Sequence, residues 1–213
     1  MIASYYRAAT GAVLVETREE TRFLRELLLE LPDVEVAALA APSGTLALVS
    51  LDKGGRIQSQ PMKQAGMVEA YKWATGKPGR VVVVWDWHVV ANNPGHWRML
   101  ADTLPELRSP MAAGQGSLMV FVAPSWDIGV ANPLRGRLPL VPFAAPSRET
   151  LQSVAAGLRP LNGEQDAVAD ALAGLPADVA EQAAAKCIVA KGKWDIPHLL
   201  GSKRRLLREA GLE

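Results

Sequence analysis

The chain has 213 residues, 49% of them hydrophobic and 21% charged, which fits one globular domain or one domain with a small appendage. A formal net charge of +1 leaves no global field to draw the protein to nucleic acid or to an anionic membrane. Cys187 is the only cysteine, which excludes an internal disulfide framework and a multi-cysteine metal site.

In chain order, residues 11–16 (GAVLVE) form a short apolar run that predicts a buried strand. Thr17 and Glu20 then match the S/T-x-x-E capping box, so a helix is expected to start there. Its apolar face carries Phe23, Leu24, Leu27, Leu28 and Leu31, and Pro32 ends it. A second strand is expected over 34–40 and a hairpin over 46–58, turning at 52–55. A helix follows over about 62–74. Four consecutive valines, Val81 to Val84, lead into Trp85 and Asp86 and predict a central strand buried on both faces. A helix over 95–107 and strands at 118–122 and 138–143 complete the alternation. Strands alternating with helices imply βαβ units, a parallel sheet and helices on both sides of it. The character changes at Pro146, and residues 147–213 read as four helices, about 147–158, 163–173, 176–190 and 196–210. The expected organisation is therefore an α/β domain over 1–146 and a helical subdomain over 147–213. No apolar run approaches the roughly 18 residues of a membrane span, and the first residues lack a signal pattern. A cytoplasmic protein is expected.

The order of these features resembles the AAA+ ATPase module. Residues 81–86 resemble a Walker B strand, residues 118–125 the sensor-1 strand, and 132–137, with Arg135 and Arg137, the segment that carries arginine fingers. Residues 147–213 resemble the helical lid. Three stretches resemble one branch in particular: the cyanobacterial and plastid AAA+ proteins named for a chloroplast open reading frame, with their bacterial and phage relatives. These are residues 13–20, the Trp85-Asp86-Trp87-His88 strand end, and residues 203–213. The resemblance implies a P-loop NTPase sheet in the order 5-1-4-3-2 with a helical lid. It further implies a degenerate first domain that accompanies an active AAA+ module, in cis or in trans, with a homo-oligomer as one form of assembly. ATP and magnesium would belong to that partner module; no cofactor is expected for this chain. The hairpin over 46–58 departs from the family pattern.

Hydrolysis on such a fold needs a glycine-rich loop, a Lys on the phosphates and a Ser or Thr on Mg²⁺. The corresponding positions here are Glu16, Thr17, Arg18, Glu19 and Glu20, with no glycine and no Lys-Ser/Thr pair. Two unit charges at 4 Å interact by about 1 kcal/mol in bulk water and about 4 kcal/mol at an effective dielectric of 20. Several carboxylates therefore outweigh the roughly 0.3–1 kcal/mol per charge that a helix end offers. Gly76 and Lys77 look like the end of a P-loop, but Pro78 and a strand follow, which is the wrong context.

Asp86 is the Walker B-like carboxylate, yet Trp87 stands where a water-activating Glu would be, and an indole cannot accept that proton. Asp86 and His88, two apart on a strand, would share a face. That spacing offers an acid–base pair for a Rossmann-like enzyme, against the plainer reading of a structural hydrogen-bond pair. No third ligand accompanies them, so no metal site is expected. Arg135 and Arg137 read either as arginine fingers acting in trans or as solvated loop residues. Lys203, Arg204, Arg205 and Arg208 form a basic helix end. It suits a nucleic-acid adaptor but also the ordinary preference of cations for helix C-termini, and the latter is the stronger reading.

Overall fold

A computed structural model describes residues 2–62, 66–108, 116–124 and 136–209. The apolar runs read from the sequence form the middle of one sheet. In chain order the elements are α1 (Ile2–Arg7), β1 (Ala12–Glu16), α2 (Glu20–Glu30), β2 (Glu35–Ala40), β3 (Thr45–Leu51), β4 (Ile57–Pro61), α3 (Met67–Gly76), β5 (Arg80–Trp85), α4 (Trp87–Val90), α5 (Pro94–Arg108), β6 (Leu118–Ala123) and β7 (Leu140–Pro142). The sheet runs β4-β3-β2-β5-β6-β1-β7. β7, β1, β6, β5 and β2 pair in parallel, and β3 and β4 add an antiparallel hairpin beyond β2. The sheet is therefore mixed rather than parallel: five strands are parallel as the alternation implies, and the hairpin read over 46–58 adds two antiparallel strands at one edge.

The hairpin has a local cause. Asp52 Oδ1 accepts the Gly54 and Arg56 amides at 2.8 and 2.9 Å, closing an Asx-type turn, and Gly55 supplies the left-handed φ of 73°. Antiparallel strands can be joined by so short a turn; parallel ones cannot.

Successive side chains of β5 point to opposite faces, and both faces are covered. Val82 and Val84 pack with Ala70, Tyr71 and Ala74 of α3 and with Trp97, Leu100 and Leu104 of α5. Val81 and Val83 pack with Ile2 and Tyr6 of α1 and with Phe23, Leu24 and Leu27 of α2. All four valines are fully buried, which is why the run carries no polar residue.

Some elements differ from the expected ones. α3 begins at Met67 rather than near 62, after Gly66 at φ 92°. The short helices α1 and α4 carry no periodic signal. α1 is held by distant groups: Glu30 Oε2 accepts the Ala3 amide at 3.0 Å, and the Tyr6 hydroxyl donates to the Gly79 carbonyl at 3.1 Å. β7 spans three residues rather than six.

The chain divides into two units, Met1–Phe143 and Ala144–Glu213. The second contains α6 (Arg148–Leu158), α7 (Gln165–Leu172), α8 (Ala177–Lys191) and α9 (Ile196–Glu209). Its core includes Leu151, Val168, Leu172, Ala180, Ala184, Cys187 and Leu199. The buried face of α8 carries only small residues, Ala180, Ala183, Ala184 and Cys187. Ser147 Oγ accepts the Thr150 amide and caps α6, and Gly192 ends α8 at φ 66°. Among the described residues no helix is long and apolar enough to cross a membrane.

Candidate functional site at the strand ends

Open α/β sheets offer ligand sites at the carboxyl ends of their parallel strands. At the end of β1, three residues, 17–19, connect the strand to α2. The Thr17 amide donates to the Ala123 carbonyl of β6 at 3.0 Å, which keeps Thr17 in the strand ladder. Its hydroxyl oxygen accepts the Glu19 amide at 2.9 Å, and the residue is buried. α2 starts at Glu20, and Glu19 at its N-cap makes no side-chain cap bond. The capping box expected from Thr17 and Glu20 is thus replaced by a tight turn. With its amide committed to β6, Thr17 reaches residue i+2 rather than the third amide of the helix.

The carboxylates also differ from one another. Glu19 is paired with Arg22 at 2.6 Å, and Arg22 binds Glu26 at 2.9 Å and lies 4.0 Å over the Phe143 ring. Its charge is therefore locally compensated, and the expected repulsion from a three-carboxylate cluster is reduced. Glu16 and Arg18 are exposed. Glu20 is the carboxylate under stress: burial, and then the Asp86 charge, push its pKa above the usual range. The Asp86 charge thus reaches Glu20 across this end of the sheet, a coupling between sequence-distant residues that periodicity does not reveal.

β5 ends at Trp85. Asp86 adopts a left-handed conformation, φ 53° and ψ 32°, and residues 87–90 make a single helical turn. Asp86 and His88 therefore do not lie on one strand, and the period-2 argument that put them on a shared face fails. Trp87 is fully buried. Its ring sits 4.6 Å from Phe121, 5.1 Å edge-on from Trp97 and 5.7 Å from His96. The Trp97 indole N–H donates to the Ala91 carbonyl at 2.7 Å. Trp87 Nε1 and His88 Nδ1 are buried with no protein partner, as is the Tyr71 hydroxyl. A buried polar group left unpaired costs about 1–3 kcal/mol. His88 as a whole is half-buried, but no hydrogen bond joins its buried Nδ1 to Asp86 and the two do not share a strand face, so the pair on which the Rossmann-like enzyme reading rests is not formed.

The remaining candidates are dispersed. Lys77 pairs with Glu35 at 3.0 Å, and Arg80 with the same carboxylate at 2.8 Å. Glu35 and Arg80 begin β2 and β5, so Gly76 and Lys77 lie at the opposite end of the sheet from Asp86. Arg135 falls outside the described residues. Arg137 is exposed shortly before β7. On α9, Lys203 donates to the Ala173 carbonyl, and Arg204, Arg205 and Arg208 are exposed. Among the described residues no three His, Cys, Asp or Glu side chains are placed to hold a metal ion. An open groove of about 350 Å³ is lined by Glu35, Leu48, Ser50, Gln58 and Gln60 among others, and includes neither Glu20 nor Asp86.

No protein-family model and no curated protein matches the sequence. Among solved structures the chain is similar to the AAA domain of FIGL-1 in complex with ADP, with a TM-score of 0.54 and 15% identity. The match covers 91% of this chain and 70% of that one. The likeness is one of fold: a mixed α/β sheet with helices, as in an AAA domain.

Proposed function

We propose that this chain is a non-hydrolysing AAA-like domain that serves the assembly, regulation or substrate recruitment of an active AAA+ module, supplied in cis or in trans. The observation that carries the reading is the β1–α2 connection. A phosphate cradle needs a loop whose amides point inward around the phosphates. Here three residues close the gap, the Thr17 amide is bound to Ala123, and the Glu19 amide is bound to Thr17. The acidic pair Glu20 and Asp86 adds unfavourable charge at the same end of the sheet.

The order of the strands supports an AAA relationship. Counted along the chain without the hairpin, the five parallel strands run 5-1-4-3-2. The helical unit over 144–213 is read as the counterpart of a lid, and the chain as similar to the degenerate domain of the chloroplast-reading-frame branch. On this reading ATP and magnesium serve the partner module, self-association is one form the assembly takes, and Arg135 and Arg137 act in trans on a neighbour's nucleotide. Calorimetric titration with MgATP tests the proposal directly. No binding up to millimolar nucleotide is expected; micromolar binding with measurable turnover by this chain would overturn it.

A further inference from the structure

Three adjacent residues carry three separate local penalties. Asp86 is a non-glycine residue in the left-handed region, at φ 53°. Trp87 buries its indole N–H without a partner, and His88 buries Nδ1 in the same state. Trp97, by contrast, satisfies its own N–H on the Ala91 carbonyl. The helix these residues open, α4, has four residues, so it gains almost nothing from helical cooperativity. Its turn is closed by the Val89 amide on Asp86 and the Ala91 amide on Trp87, at 2.9 and 2.8 Å. What opposes the penalties is the packing of the Trp87 ring against Phe121, Trp97 and His96, together with the bonds that the Val90 and Ala91 carbonyls accept from Asn93, His96 and Trp97.

We infer that the β5–α4 junction, residues 86–91, is a two-state element held shut by the packing of the Trp87 ring at its start and by the bonds of His96 and Trp97 to the Val90 and Ala91 carbonyls at its end. In the shut state the ring is buried and Asp86 is left-handed. In the open state Asp86 relaxes to an ordinary backbone conformation, the single turn unwinds, and Trp87 Nε1 and His88 Nδ1 reach water. Strained backbone and unpaired buried groups persist where the surroundings over-determine them, and they mark segments of low local stability. The element couples exposure of an apolar indole to the placement of the Asp86 carboxylate. A partner that engages that carboxylate therefore biases the indole, and one that captures the indole moves the carboxylate. This holds whether or not the chain hydrolyses nucleotide.

Native-state hydrogen exchange on the whole chain tests the inference. The Val89 and Ala91 amides should exchange at least a hundredfold faster than those of Leu100 and Leu104 in α5, by a local opening that remains below the denaturation range. Two variants separate backbone strain from loss of the carboxylate, since both remove the charge. Asp86→Gly relieves the left-handed strain and should slow exchange at both amides by at least about fivefold relative to Asp86→Ala, which worsens it. Exchange of Val89 and Ala91 at the rate of the α5 core would overturn the inference, as would equal rates in the glycine and alanine variants. The wild-type comparison decides even if a variant does not fold.

Discussion

Glu20 lies at the start of α2 and feels the charge of Asp86 from the end of β5, and that repulsion has a pH signature. Burial and the Asp86 charge raise the Glu20 pKa. A carboxyl group raised in the folded state contributes stability that is fully present below its ordinary pKa and is lost as pH rises through the folded value. At neutral pH the charge is therefore a net cost. Glu20→Gln should raise the thermal midpoint at pH 7, and the gain should disappear near pH 4. Asp86→Asn, which keeps a side chain tolerant of the left-handed backbone, should give a gain of the same sign. The double variant should gain less than the sum, because either change removes the same repulsion. Additive gains would show that the two carboxylates do not interact. Tyr71 gives a second test at this scale. Its hydroxyl is buried without a partner, and burial raises its pKa far enough to keep it protonated across the physiological range. Tyr71→Phe should stabilise the protein by about 1 kcal/mol, read as a higher urea midpoint at unchanged slope. The sequence exposed Asp86 as a candidate because it ends a valine run. It could not show Glu20 beside it, nor the unpaired Tyr71 and His88 nitrogen and oxygen atoms, since those depend on packing between distant segments.

At the scale of elements, what was legible was what burial alone dictates. The valines of β5 and Phe23, Leu24, Leu27 and Leu28 of α2 are buried where the pattern puts them, because each faces a core that tolerates no polar side chain. α1 was invisible: six residues cannot form a helix by propensity, and this one depends on Glu30 and Gly79 from elsewhere in the chain. The capping signature at Thr17 and Glu20 misled for a related reason. A local pattern lost to a tertiary hydrogen bond, that of the Thr17 amide to Ala123. The segment before β1 shows the same dependence. Gly11 has φ 83°, and a Cβ there would meet Arg108 Cγ at 2.8 Å and Leu104 Cδ1 at 3.0 Å. Gly11→Ala combines backbone strain with an intrusion against the end of α5. It should cost about 1–3 kcal/mol by denaturant titration, against the few tenths typical of a surface site. A neutral result would mean that α5 ends are free to shift away from β1.

For the whole molecule, the change in composition near Pro146 and the division at Phe143 and Ala144 mark two bodies with separate cores. Periodicity reports burial but not which strands are neighbours, so the sheet order had no source in the pattern of apolar residues. The independence of the helical unit follows more directly from its own contents. Its apolar core is drawn from all four helices and from Trp194, whose indole N–H donates to the Pro160 carbonyl at 3.1 Å. The ends of α6 and α8 are satisfied internally, by Ser147 and Gly192. Arg148 on α6 reaches Asp170 on α7 at 2.7 Å, but that pair is exposed and worth at most about 1 kcal/mol, so the apolar core must supply the stability. Seventy residues (144 through 213) lie near the lower size at which one core suffices. The fragment 144–213 should therefore fold alone, with a helical spectrum and a single cooperative urea transition. Its slope should be smaller than that of the whole chain, in proportion to the smaller surface exposed. Replacing Leu172, which is fully buried in that core, with alanine should shift this transition by about 2–5 kcal/mol. The same substitution in the whole chain should leave hydrogen-exchange protection of the β5 and β6 amides unchanged. Loss of protection in the sheet would show instead that the two units unfold as one.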